Sequence, residues 1–213
     1  MTQKVYNLIV LDASGSMYSI RREAIAGVVE TVQTIRTAQA ESPNQEQLFS
    51  LVVFNGRRIS TVYDRMPITK VPDLNENDYQ PTDNTPLYDA MGNSITHLRQ
   101  YIDKGDNVLV TIITDGYENS SMEWNHQRVF QLVEELKRGN WLFTYIGANQ
   151  DAMAVAKDMG IDHSLNFDAD IEGTREMFRK EKKARSAFYS KLSEGCDFSR
   201  LQSDKFFDDD ERS

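Results

Sequence analysis

Hydrophobic runs and helical patterns alternate along most of this chain. Three runs are apolar at almost every position, which is typical of strands buried on both faces: Val5–Leu11, Asn107–Ile113 and Trp141–Ile146. Between them, apolar residues recur at intervals of three and four, which predicts amphipathic helices over roughly 19–40, after Pro86 and up to Gly139. This alternation favours an α/β fold whose mainly parallel sheet is covered on both faces.

One pair of segments breaks the alternation. Leu48–Phe54 predicts a strand, Asn55-Gly56 is a strong hairpin signal, and Arg58–Tyr63 predicts a returning antiparallel strand. We expect this hairpin to form one edge of the sheet. The connection that follows, residues 64–85, contains three prolines and is long enough to be functional or mobile.

The later part of the chain has a different composition. A short helix at 150–159 and a short strand at 161–165 complete the strand–helix pattern. Residues 168–194 then predict a strongly charged helix. We expect its basic side chains, including Arg185, to lie on a face exposed to solvent. The predicted organisation is an α/β domain, a C-terminal helical extension and a polar acidic tail with a partly disordered end, over 1–166, 167–195 and 196–213.

Charge and cysteine content exclude some classes of partner and compartment. The 213 residues carry a net charge of −9, whereas binding to nucleic acid or to an anionic membrane needs a basic surface. The single cysteine, Cys196, has no partner for an internal disulfide. The first apolar run is too short to span a membrane and lacks a signal-peptide cleavage pattern, so we expect a cytoplasmic protein.

Oxygen-bearing side chains follow the predicted strands. Asp12, Ser14 and Ser16 stand on a glycine-containing turn after the first strand. Asp115 follows the next buried strand, and Thr85 stands just before a predicted helix. In parallel sheets, ligands bind beyond the carboxyl ends of the strands, where the strand order reverses. Hard oxygen donors without thiol or imidazole suit Mg²⁺ or Mn²⁺, with Ca²⁺ as the alternative.

These residues resemble a known site. The D-x-S-x-S turn of Asp12, Ser14 and Ser16, with Thr85 and Asp115 downstream in that order, is similar to the metal-ion-dependent adhesion site (MIDAS) of von Willebrand factor A (vWA) domains. The resemblance extends over about residues 4–165 and implies a Rossmann-like, doubly wound fold. It implies that the two serines and the threonine bind the metal directly, and that the two aspartates bind it directly or through water.

The resemblance also implies a function. Proteins of this family typically use the metal to capture an Asp or Glu carboxylate of a partner protein, so we expect a binding module rather than an enzyme. A compact chain of this kind is similar to stand-alone bacterial members, some of them associated with tellurite-resistance and stress systems. Four aromatic residues in or beside the expected metal loops are candidates for a binding rim: Tyr18, Tyr79, Tyr117 and Trp124.

Other interpretations remain open at this point. Asp12, Ser14 and Ser16 could cap the following helix. A Mg²⁺-dependent phosphohydrolase is the alternative function, with His126 as the nearby candidate base, although Ser14 does not fit the G-x-S-x-G nucleophile motif. A metal could also serve only to stabilise the fold. Finally, the acidic stretch Asp208–Glu211 could occupy the metal's open position in the same or a neighbouring molecule.

Overall fold

One six-stranded sheet with helices on both faces forms the body of the molecule. The computed structural model describes residues 3–148 and 151–207. The strands are β1 (Gln3–Asp12), β2 (Gln45–Asn55), β3 (Arg58–Pro67), β4 (Asn107–Thr114), β5 (Trp141–Ala148) and β6 (His163–Phe167). The helices are α1 (Arg21–Glu41), α2 (Leu87–Arg99), α3 (His126–Leu136), α4 (Ala152–Asp158), α5 (Ile171–Ser193) and α6 (Phe198–Ser203).

The sheet has one point at which the strand order reverses. The order is β3-β2-β1-β4-β5-β6, and all neighbouring strands are parallel except the β2–β3 hairpin. The predicted mainly parallel sheet with one antiparallel edge strand is therefore confirmed. After β1 the chain adds strands on one side of the central pair, and after β4 it adds them on the other side. The carboxyl ends of β1 and β4 therefore border the crevice in which open α/β sheets bind ligands.

Strands β1 and β4 are central because their sequences suit burial on both faces. Every residue from Val5 to Asp12 and from Asn107 to Thr114 is buried. Helices α1, α5 and α6 cover one face of the sheet, and α2, α3 and α4 cover the other. Within the described residues, no helix has both the length and the apolar composition needed to cross a membrane.

Helix α5 belongs to the core of the domain. It packs along α1, and a Cβ atom at Gly27 would collide with the ring of Phe178. Glycine at this position therefore allows the two helices to approach closely. The apolar stripe of α5 continues this contact through Met177, Phe188 and Leu192, all of which are buried.

The expectation of a solvated basic face is wrong at Arg185, which is completely buried. Its guanidinium forms an ion pair with Glu181 and donates to Thr111 Oγ1 at 2.8 Å and to Tyr189 Oη at 3.1 Å. Tyr189 in turn donates to Asn7 Oδ1. Burial alone would lower the pKa of Arg185, but the charge of Glu181 helps to raise it above its ordinary value. The network ties α5 to β1 and β4.

The chain after α5 also differs from the expected polar tail over 196–213. Gly195, with φ of 80°, ends α5 in the left-handed conformation that glycine adopts without strain. The following segment places four apolar side chains in the core: Phe198, Leu201, Phe206 and Phe207. The folded unit thus continues to residue 207. The acidic stretch Asp208–Glu211 lies outside the described residues.

The buried ion pair generates a stability prediction. Replacing Arg185 with Met leaves the Glu181 carboxylate buried without its counter-charge, and we expect the free energy of unfolding to fall by about 3–5 kcal/mol. The matched control is Lys182→Met, which breaks a surface ion pair with Glu30 and should cost less than about 1 kcal/mol. Urea denaturation followed by circular dichroism measures both, and equal losses would contradict a structural role for the buried arginine.

Candidate metal site

The candidate site begins where the two central strands end. In the parallel ladder Leu11 lies beside Ile113, so the residues that follow them emerge at the same edge of the sheet. Asp12 is 0% exposed and Asp115 is 5% exposed. The register of β1 and β4 therefore brings two acidic residues from distant parts of the sequence to one buried location.

Asp12 is fixed from three directions. Its Oδ1 accepts a hydrogen bond from the Ser14 backbone N–H at 2.6 Å, and its Oδ2 accepts one from Thr114 Oγ1 at 2.6 Å. Its backbone carbonyl accepts a hydrogen bond from Tyr79 Oη at 2.7 Å. These contacts hold the carboxylate at the start of the D-x-S-x-S turn.

The hydroxyl groups lie next to the second carboxylate. Ser16 Oγ donates to Asp115 Oδ1 at 2.6 Å and lies 3.2 Å from Ser14 Oγ. A Cβ atom built on Gly116 would lie 3.5 Å from Thr85 Oγ1 and 3.9 Å from Ser16 Oγ. The structure thus brings together all five residues proposed from the sequence as metal ligands: Asp12, Ser14, Ser16, Thr85 and Asp115.

The side chains of the D-x-S-x-S turn do not cap helix α1, which was the alternative interpretation of this motif. Ser14 precedes a 3-10 turn over Gly15–Ile20 and makes no side-chain capping hydrogen bond. Helix α1 begins only at Arg21, and its cap residue is Ile20. The serine hydroxyls are therefore not used to satisfy the first N–H groups of α1.

Burial without a counter-charge dominates the electrostatics. Desolvation raises the pKa of Asp12 to about 6, against the opposing effect of its hydrogen bonds to Thr114 and Ser14. Burial also raises the pKa of Asp115, and the bond from Ser16 opposes it. Among the salt bridges formed by the described residues, none involves either aspartate. A bound cation would supply the missing positive charge.

The donor set fits a hard divalent cation. No group of three or more His, Cys, Asp or Glu side chains is placed to hold a metal anywhere in residues 3–148 and 151–207. This site differs from such clusters because it combines two carboxylates with three hydroxyls. Oxygen-only donors of this kind match the preferences of Mg²⁺, Mn²⁺ and Ca²⁺ rather than those of zinc or copper.

Thr85 is positioned by a residue that the sequence analysis missed. The Thr85 backbone N–H donates to Asn119 Oδ1 at 2.9 Å, and the Asn119 backbone N–H donates back to the Thr85 carbonyl at 3.2 Å. This reciprocal pair joins two loops that are 34 residues apart in sequence. No local pattern marks Asn119, because its partner is supplied only by the fold.

Two carboxylates organise the loop that contains Asn119. Glu118 accepts hydrogen bonds from three backbone N–H groups, those of Tyr88, Ser120 and Ser121, at 2.7–2.8 Å. Asp89 accepts from the N–H groups of Met122, Glu123 and Trp124 at 2.7–2.9 Å. The loop after Asp115 is therefore held by α2 along most of its length.

The long connection before α2 is also attached to the site. Strand β3 continues to Pro67, which shortens the loop expected over 64–85. The Thr82 N–H then donates to the Ala13 carbonyl at 2.8 Å, and the Gly15 N–H donates to the Asp83 carbonyl at 2.9 Å. This part of the loop lies alongside the D-x-S-x-S turn and forms one wall of the site.

The four expected rim residues separate into two groups. Tyr18 and Tyr117 are 69% and 59% exposed, as rim residues would be. Tyr79 is buried and hydrogen-bonded to Asp12, so it supports the site from below and does not form its rim. Trp124 is half-buried and donates from Nε1 to Asn93 at 2.8 Å.

Comparisons with solved structures show the type of fold. The SpRpn10 VWA domain has a TM-score of 0.58 and 11% identity, with 81% of this chain and 92% of that domain covered. The PilB minor pilin from Streptococcus sanguinis gives a TM-score of 0.61 and 13% identity over 87% of this chain and 62% of that protein. Proximal thread matrix protein 1 from the mussel byssus gives a TM-score of 0.55 and 13% identity over 86% of this chain and 46% of that protein.

The fold is therefore vWA-like, a Rossmann-type α/β arrangement. No family model and no curated protein sequence matches the chain. This chain spans about half of the thread matrix protein and about three fifths of the pilin. At these sequence identities the similarity establishes the fold alone, and a fold does not define a function.

The raised pKa of Asp12 gives a pH-dependent prediction for the metal-free protein. The native pKa of about 6 lies above the ordinary value of 3.8, so the native state binds the proton more tightly than the unfolded chain. The associated stability is present below pH 4 and falls as the pH rises through 6, by about 3 kcal/mol in total. In EDTA, wild-type protein should lose stability relative to Asp12→Asn between pH 4 and pH 7.

Urea unfolding at both pH values measures this difference. Asp158→Asn, which removes an exposed acid on α4, controls for the loss of one negative charge and should track the wild type. A constant difference between wild type and Asp12→Asn across this pH range would contradict the expected desolvation of Asp12.

The Asn119 contact gives a second prediction. Asn119→Ala removes the acceptor for the Thr85 N–H, and we expect Mg²⁺ affinity to fall by about tenfold with the fold retained. Asn75→Ala is the matched control, since Asn75 Oδ1 accepts from the Asn77 N–H in an exposed part of the long loop. Isothermal titration calorimetry distinguishes the two variants. Wild-type affinity in folded Asn119→Ala would exclude the positioning role.

Proposed function

We propose that this chain is a metal-dependent protein-binding module. Asp12, Ser14, Ser16, Thr85 and Asp115 would hold Mg²⁺, or Mn²⁺ or Ca²⁺ in its place, and an Asp or Glu of a partner protein would complete the coordination. The observation that carries this proposal is the meeting of two desolvated carboxylates and three hydroxyls at the strand-order reversal, where no positive side chain of the described residues pairs with either carboxylate.

The balance of charge in the donor set favours capture of an acid. Three of the five donors are neutral hydroxyls, and only Asp12 and Asp115 carry negative charge. The donor set therefore does not give a divalent cation an excess of negative charge that would repel an incoming carboxylate. When bound, such a cation supplies a coordination position that attracts a carboxylate oxygen. The chain's own residues orient the donors: Asp115 fixes Ser16, Thr114 fixes Asp12, and Asn119 fixes the loop of Thr85.

Binding without turnover is the version that the residues support best. The alternative, a phosphohydrolase, needs a base beside the metal, and His126 was the candidate from sequence. His126 is exposed at the start of α3, with its ring 6.2 Å from that of Tyr88. Neither residue is among the five that converge. We therefore propose a non-enzymatic role.

The biological setting is part of the proposal and depends on the sequence resemblance alone. A module of this type would act in the cytoplasm of a bacterium, in a stress or tellurite-resistance-like system. Tyr18 and Tyr117 would form its exposed rim, since exposed aromatic side chains supply large contact areas at binding surfaces.

Metal and carboxylate binding can be tested together. Calorimetry with Mg²⁺ should give binding to wild-type protein that falls by about tenfold or more in Ser14→Ala. Ser193→Ala, which removes an exposed hydroxyl on α5, should bind as the wild type does. Acetate then serves as the carboxylate probe, and nuclear magnetic resonance should show shifts at the site in Mg²⁺ that vanish in EDTA.

Three results would contradict the proposal. Absence of Mg²⁺, Mn²⁺ and Ca²⁺ binding would exclude the metal site. Acetate shifts, or recovery of a specific partner from lysate, that are equal in Mg²⁺ and in EDTA would exclude the metal-bridged mode of capture. Metal-dependent hydrolysis of phosphate esters that is lost in Asp12→Ala would instead favour the enzymatic alternative.

A further inference from the structure

The tip of the β2–β3 hairpin lies at the same edge of the sheet as the candidate metal site. The parallel register of β1 and β2 places Phe54 beside Asp12. The Ala13 N–H donates to the Phe54 carbonyl at 2.7 Å, so contact between β1 and β2 continues into the D-x-S-x-S turn. The hairpin tip, residues 55–58, therefore begins directly beside the D-x-S-x-S turn.

The tip is fixed against the loop that precedes Thr85. Asn55 Oδ1 accepts from the N–H groups of Arg57 and Arg58 at 3.0 and 3.2 Å, which sets the backbone of the turn. A Cβ atom at Gly56 would lie 2.9 Å from the Asn84 backbone nitrogen. The tip thus touches the segment directly before the candidate ligand Thr85.

This tip carries concentrated positive charge in an acidic protein. Two consecutive arginines, Arg57 and Arg58, stand there although the net charge of the chain is −9. The Arg57 side chain is 72% exposed, and its Nε donates to Asp83 Oδ2 at 3.4 Å. An exposed pair of this kind contributes little stability, so its exchange for another carboxylate costs little. The terminal guanidinium nitrogens suit bidentate binding of a carboxylate.

We propose that the hairpin tip is a second anchor for the partner, which would present two acidic residues in one extended segment. One carboxylate would bind at the metal and the other at Arg57. This inference depends on the proposed function, since it names the partner of the same site. Strands one or two places from β1 lie roughly 5–10 Å away, and residues two or three apart in an extended segment span about 7–10 Å.

Amidated, fluorescein-labelled glycine peptides provide the probes. One contains a single Asp, and the other contains a second Asp three residues further on. Fluorescence anisotropy in Mg²⁺ should show that the two-acid peptide binds about threefold to fivefold more tightly than the one-acid peptide. Arg57→Gln should abolish this gain while Mg²⁺ affinity and binding of the one-acid peptide stay unchanged.

The controls separate this inference from the proposed function. Arg138→Gln removes an exposed arginine after α3 and should retain the gain. Ser14→Ala should weaken binding of both peptides. A full gain in Arg57→Gln, or equal affinity of the two peptides for wild type, overturns the second anchor while leaving the metal site intact. No Mg²⁺-dependent binding of either peptide overturns the proposed function and the second anchor with it.

Discussion

The parallel register of β1 with β4 is the constraint on which the rest of the structure depends. Both strands are buried on both faces, and each leads directly to an aspartate at the edge of the sheet, Asp12 after Leu11 and Asp115 after Thr114. The pairing of Leu11 with Ile113 makes those ends coincide. A slip of one residue would turn Asp12 to the other face and separate it from Thr114 and Asp115. The two central strands therefore fix both the core and the candidate site.

The site is organised at a cost to the metal-free fold. Desolvation of Asp12 raises its pKa, and the hydrogen bonds from Ser14 and Thr114 offset only part of that effect. The surrounding loops are held by hydrogen bonds between neutral groups, such as those formed by Asn119 and Tyr79. These bonds do not offset the negative charge of Asp12 and Asp115. Asp12 and Asp115 are thus held in place by hydrogen bonds while their burial is not offset by a positive side chain among the described residues.

Much of the fold and the five candidate ligands could be predicted from the sequence, because long apolar runs and the D-x-S-x-S turn are local signals. The expectations that proved wrong concern residues whose position depends on groups from distant parts of the chain. Arg185 is buried because Glu181 supplies a charge on the same helix and Asn7 and Thr111 supply oxygens from two strands. Tyr79 similarly reaches Asp12 across 67 residues. Residues 196–207 gave no such signal, because Phe198, Leu201 and the pair Phe206-Phe207 stand among polar residues without a regular period.

Helix α5 is locked in position as well as buried. The ring of Phe178 fits into the notch at Gly27, which opposes rotation, and the guanidinium of Arg185 is held by fixed acceptors on β1 and β4. A slide by one helical turn, about 5.4 Å, would carry the guanidinium away from those acceptors on β1 and β4. Events at the candidate site therefore cannot be relayed to the C-terminal segment by gradual sliding of this helix.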